Sequence, residues 1–201
     1  MITCMSDIIC VTNRKLCAGN FNERMELIAG CRPAAVILRE KDMDEAQYEK
    51  MAGSVMEICR RNDTLCILHN FPDIAEKLGC RALHMPLAVL RDVSESKRRK
   101  FDVLGASCHS CEEAKEAECL GCTYITAGHI FDTDCKKGAP GRGLEFLKKI
   151  CTCVTVPVYA IGGINEYNIG NVRAAGAAGA CVMSGAMKCS DISAYFSSFE
   201  K

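Results

Sequence analysis

Neither sign of charge is in excess in this sequence. Its 201 residues carry 25 Lys and Arg against 25 Asp and Glu, so bulk charge draws the chain neither to nucleic acid nor to an anionic membrane surface. The longest basic cluster, Lys97-Arg98-Arg99-Lys100, follows acidic residues and reads as a solvated helix end. No apolar run approaches the roughly 20 residues that span a bilayer. The opening residues, Met1 to Asp7, lack the basic-then-apolar pattern of a secretory leader. No Pro/Ser-rich linker or low-complexity stretch divides the chain, so a single domain over residues 1–201 is expected. With no leader, the 16 cysteines are expected to be reduced thiols in a cytoplasmic protein. Many occupy places that Val or Ala would fill, as in Ile9-Cys10-Val11 and Ala180-Cys181-Val182, where a thiol packs as a small hydrophobe.

What is present is a repeating pattern. Eight short apolar runs recur: 8–12, 34–38, 65–68, 82–84, 103–107, 124–127, 158–161 and 180–183. Amphipathic or polar stretches separate them, among them 44–61, 110–120, 143–151, 168–175 and 191–199. The runs lack in/out alternation, as strands of a parallel sheet covered by helices do. Eight strands alternating with helices predict a single-domain α/β fold, the (β/α)8 TIM barrel. A doubly wound open sheet is expected to place glycines in its first turn; that turn here is Thr12-Asn13-Arg14-Lys15. The chain is short for a barrel, so connections must be tight. The exception is Gly128 to Gly143, and long loops on compact scaffolds usually serve function.

Two glycine-bearing segments follow the last two strands: Ala160-Ile161-Gly162-Gly163-Ile164 and Val182-Met183-Ser184-Gly185-Ala186. Loops at these strands of a barrel commonly bind phosphate. Glycine admits close backbone approach, and amides at a helix start donate to an anion. Gly163, Met183 and Ser184 are therefore the expected phosphate ligands, against the plainer reading of tight turns. The loop after strand six brings His129, Thr133, Cys135 and Lys136. A histidine there suits general acid–base work near neutrality. Cys108-His109-Ser110-Cys111 and Cys119-Leu120-Gly121-Cys122 form two CxxC pairs, a spacing that raises zinc. If the residues between are helical, Cys111 and Cys119 stand roughly 12 Å apart, too far for thiolates that each lie about 2.3 Å from one ion. No metal is expected.

Several of these segments carry a family resemblance. Gly105-Ala106-Ser107-Cys108-His109, Gly128 to Gly143, Ala160 to Ile164, Val182 to Ala186 and Leu38-Arg39-Glu40-Lys41 resemble the thiamine-phosphate-synthase/TenI superfamily over nearly the whole chain. Its members are barrels that handle a thiazole phosphate. The synthase branch joins it to a pyrimidine diphosphate; the TenI-type thiazole tautomerase only aromatises it. The synthase pattern Gln-x-Arg-x-Lys has Ile37 in place of Gln, with Arg39 and Lys41 kept. Where the synthase places two Mg²⁺-binding Asp residues, this chain has Asn70 and Val89. The loop after strand six, with His129 and Cys135, resembles the tautomerase motif, and so does Met85-Pro86.

The resemblance therefore implies a cofactor-free tautomerase acting on a carboxylated thiazole phosphate. His129 would be the proton carrier, with His109 and Cys135 as rivals. Arg39, Lys41 and Lys136 would orient the carboxylate, and Ser107 and Thr133 would line the substrate. Two alternatives stand beside it: thiamine-phosphate synthase, and a relative that binds thiazole phosphate without turnover. A homodimer is left open, and no nucleic-acid or membrane partner is expected.

Overall fold

Runs such as Ile8-Ile9-Cys10-Val11 and Ala35-Val36-Ile37-Leu38 are buried at every residue, so they show no alternation; a strand covered on both faces has no solvent side. A computed structural model describes residues 7–133 and 138–200. Its strands are β1 (Ile8–Val11), β2 (Ala35–Leu38), β3 (Cys66–His69), β4 (Ala82–Pro86), β5 (Val103–Cys108), β6 (Tyr124–Gly128), β7 (Val158–Ile161) and β8 (Gly179–Val182). They are hydrogen-bonded in sequence order as a closed barrel, the (β/α)8 fold expected. The helices are α1 (Phe21–Gly30), α2 (Glu45–Arg61), α3 (Pro72–Lys77), α4 (Leu87–Asp92), α5 (Glu95–Arg98), α6 (Cys111–Cys119), α7 (Gly143–Cys153), α8 (Ile169–Ala174), α9 (Ser184–Lys188) and α10 (Ile192–Ser197). No described helix is long and apolar enough to cross a membrane.

The chain falls into two compact units, although no linker composition marks a boundary. One comprises the residues up to Ala82 together with Val182 onward. In it β1 pairs with β2 through Ile9 opposite Ala35, and β2 with β3 through Val36 opposite Cys66. Ile8, Met25, Ile28, Val36, Leu38 and Leu68 are buried between strands and helices. The buried phenol of Tyr48 donates to the Leu38 carbonyl and accepts from the His69 amide, both at 2.7 Å. One side chain on α2 thus joins the ends of β2 and β3.

The other unit runs from Leu83 to Cys181. Its registers place Ser107 opposite Thr126, Gly128 opposite Ile161, and Ile161 opposite Cys181. Gly105 is glycine because a Cβ there would run into the rings of Tyr124 and His84. Cys111 and Cys119 open and close α6, which separates them by roughly 12 Å along its axis. Among the described residues no three His, Cys, Asp or Glu side chains group as a metal site.

Four helix starts are capped by side chains. Asp44 accepts from the Gln47 amide, Ser110 from Glu113, Asn20 from Asn22 and Glu23, and Asp191 from Ala194. Each satisfies an amide that has no partner within the helix.

Candidate active site

β6 delivers His129 directly from its last residue, through a cis Gly128–His129 peptide bond. The loop beyond packs back along β7: the Ile130 amide donates to the Ile161 carbonyl at 2.9 Å, and Phe131 to Gly162 at 3.0 Å. Asp132 Oδ1 accepts from the Gly141 amide at 2.7 Å, drawing the two limbs of the loop together. His129 Nε2 lies 3.1 Å from the Ala139 carbonyl. A carbonyl only accepts, so Nε2 carries the hydrogen and Nδ1 keeps the lone pair in the neutral ring. His109 Nδ1 in turn lies 2.9 Å from the Gly128 carbonyl. Thr133 is half-buried beside this loop; Cys135 and Lys136 lie outside the described residues.

A polar row joins β4, β5 and β6, with His84, Tyr124 and Thr126 buried and Ser107 half-buried. His84 reaches Tyr124 Oη through Nδ1 and Ser107 Oγ through Nε2, each at 2.9 Å. Thr126 Oγ1 lies 3.3 Å from the same Ser107 oxygen. Burial pushes the Tyr124 phenol well above its ordinary range, so it stays neutral. Ser107 is therefore held by two neighbours, with its hydroxyl engaged inside the protein.

The turn after β7 uses left-handed backbone at Gly162 (φ 103°) and Gly163 (φ 67°). A Cβ on Gly163 would lie 2.6 Å from the Asp132 carbonyl oxygen and 2.7 Å from Phe131 Cβ. Glycine is thus demanded here by the loop after β6 as well as by any anion. Gly163→Val would clash with the backbone of that loop as well as block the close approach of an anion.

The other unit holds Arg39, Lys41, Met183 and Ser184. Arg39 is half-buried and Lys41 exposed at the end of β2. The residue between them was not singled out by sequence. Glu40 is buried, with Oε1 accepting from Thr12 Oγ1 at 2.8 Å and from the Arg14 amide at 3.0 Å. Its Oε2 takes the same amide at 3.1 Å and Arg14 Nη1 at 3.2 Å. The Thr12 hydroxyl oxygen then accepts from the Arg39 amide at 2.9 Å. Arg14 also grips Asp42 through both nitrogens, at 2.6 and 2.7 Å. Arg14 and then Lys15 hold that carboxyl well below the usual range. Met183 precedes α9, which begins at Ser184; the following Gly185 leaves room for the Tyr195 ring. Asn70 sits in left-handed backbone (φ 72°), and Val89 is a half-buried apolar residue of α4.

These positions can be set beside known proteins. Residues 8–186 match the TMP-TENI family, described as thiamine monophosphate synthase. The chain belongs to that family. The thiamine-phosphate synthase of Fusobacterium nucleatum is 34% identical over 190 residues, covering 92% of this chain and 90% of that protein. The synthase of Clostridium acetobutylicum is 36% identical over 162 residues, with 78% and 75% covered. Among solved structures, the thiamine phosphate pyrophosphorylase of Pyrococcus furiosus superposes with a TM-score of 0.81 at 27% identity, over 96% of this chain and 92% of that one. A 3-hexulose-6-phosphate synthase superposes at TM-score 0.71 and 16% identity, over 96% and 97%, which speaks to the fold alone. The thiamine monophosphate synthase family is a family of thiamine-biosynthesis enzymes. The names of these relatives support the coupling reading, thiamine-phosphate synthase, better than the tautomerase reading that the loop motif suggested.

Proposed function

We propose that this family member is a thiazole tautomerase: an isomerase that aromatises a carboxylated thiazole phosphate by proton transfer through His129. The observation that carries this reading is the hydrogen bond from His129 Nε2 to the Ala139 carbonyl at 3.1 Å. It leaves Nδ1 as the basic nitrogen of a ring with a fixed tautomer, which a base that later acts as an acid requires. The reaction balances with no second substrate. Nδ1 removes the proton from the ring carbon bearing the carboxylate, and the electron pair shifts through the ring toward the exocyclic carbon. The imidazolium returns a proton to that carbon, leaving the ring aromatic and His129 neutral.

Cations serve the charge that develops. Arg39 and Lys41, with Lys136, orient the carboxylate and offset the negative charge of the deprotonated ring. The amide-rich turn at Gly163 and the start of α9 at Met183 and Ser184 are the proposed phosphate donors. Ser107 and Thr133 line the substrate, and Cys135 stays a rival proton carrier.

A second reading rests on the names of the relatives: coupling of the thiazole to a pyrimidine diphosphate. The family implies Mg²⁺ for that reaction. Mg²⁺ is usually held by one or two carboxylates, and the two corresponding positions carry a neutral amide, Asn70, and an alkyl group, Val89. These side chains do not fit the ion.

His129→Gln tests the reading. A positioned acid–base group contributes about 10²–10⁴-fold in rate, so kcat for tautomer conversion should fall by that order with KM little changed. Near-normal turnover by His129→Gln, with loss in Cys135→Ser, would move the proton to the thiol.

A further inference from the structure

Two peptide units fasten His129 to the chain, and both are held by the same pair of residues. The carbonyl before it, Gly128 O, accepts from His109 Nδ1 at 2.9 Å. The carbonyl after it, its own, accepts from the Arg142 amide at 3.0 Å. Arg142 Nη1 donates to the His109 carbonyl at 2.6 Å, which closes the circuit. The circuit is anchored on both sides. The His109 amide donates to Glu113 Oε2 at 2.5 Å, and the Glu113 amide to the Ser110 cap at 3.1 Å. The Arg142 guanidinium stands 5.0 Å over the Phe146 ring on α7, at cation–π range.

We propose that His109 and Arg142 are positioning residues for His129. The proposal rests on the reading of His129 as the acid–base group. His109 faces a carbonyl oxygen through Nδ1, so that nitrogen bears a hydrogen whether the ring is neutral or charged. Among the described residues, the charged side chains bonded to His109 are those of Glu113 on α6 and Arg142 at the start of α7; both act on its backbone rather than on its ring. Its ring fixes the plane of the peptide that aims His129. A displacement of about 1 Å at a catalytic group costs up to roughly a hundredfold in rate, so fixing that plane matters to turnover without touching substrate.

The test separates a donor from a base. Asn places its amide nitrogen where His Nδ1 lies, and Gln places its own where Nε2 lies. His109→Asn should keep kcat within about threefold of the wild type, with the same limbs in its pH–rate profile, while His109→Gln loses about ten- to a hundredfold in kcat at unchanged KM. If His109→Asn is as slow as His109→Gln and a limb of the profile disappears, His109 carries the proton and the proposal is wrong. A second readout needs no turnover. The imidazole 15N spectrum of His129 should show the Nε2–H tautomer in wild type and His109→Asn, and mixed tautomers in His109→Gln. Arg142→Ala should shift the same signals, and it stands in if His109→Gln fails to fold. Unmoved His129 signals in the folded variants overturn the proposal. A wild-type protein that converts no thiazole, yet shows these shifts, overturns the tautomerase reading and leaves the clamp standing.

Discussion

At Gly163 two demands meet on one residue. Its left-handed backbone (φ 67°) and its closeness to Asp132 and Phe131 both exclude a side chain. The sequence offered an anion site or a tight turn here but not the packing demand, because the loop it packs against lies some thirty residues earlier in the chain. Overpacking typically costs about 1–3 kcal/mol, so Gly163→Ala should lower the unfolding free energy from urea titration by that order, with or without phosphate present. A variant as stable as wild type would remove the packing demand. The cysteines divide by burial in the same way. Burial pushes the Cys108 thiol up to about 12 and the Cys122 thiol up to about 12, while Cys119 is exposed. Since the thiolate is the reactive form, iodoacetamide should label Cys119 in the native protein and reach Cys108 and Cys122 only after unfolding. Rapid native labelling of Cys108 would contradict its placement in the core.

Among elements, the eight apolar runs and five of the intervening helices could be read from periodicity, because parallel strands and amphipathic helices write their burial into local pattern. The boundaries moved by a residue or two for a physical reason. Asp44 and Ser110, read as helical, are caps whose side chains bond the first turn from outside it. Long-range contacts left no such mark. Glu40 meets Thr12 across 28 residues, and Arg142 meets His109 across 33; neither role follows from spacing. Its position between two cations, Arg39 and Lys41, was the one sign that Glu40 differed. Glu118 illustrates how such contacts tie elements together. Near the end of α6 it accepts from the Thr155 hydroxyl at 2.6 Å, the Thr155 amide at 2.7 Å and the Val156 amide at 3.2 Å, joining the entry to β7. The Thr155 hydroxyl, then its amide, lowers the Glu118 carboxyl from its ordinary 4.5. A carboxylate depressed in the folded state stabilises above its unfolded value and loses that contribution as pH falls through the folded one. Glu118→Gln should therefore lower Tm at pH 7 and match wild type at the acid end of the range. A constant Tm difference between the two across pH 3–7 would contradict the assignment.

For the whole molecule, the barrel and the family were both legible, since fold class follows from the alternation of elements and family from motifs at the carboxyl ends of the strands. The reaction divides two kinds of observation. The relatives are named for coupling, whereas the proposed proton shift rests on Asn70, Val89 and His129. One assay decides between them: the purified chain is offered the carboxylated thiazole phosphate tautomer, alone and with the pyrimidine diphosphate, each with Mg²⁺ or with EDTA. Aromatisation is expected at equal rates in both media, with no thiamine phosphate in either. Thiamine phosphate formed only with Mg²⁺, with no aromatisation in EDTA, would contradict the proposed proton shift.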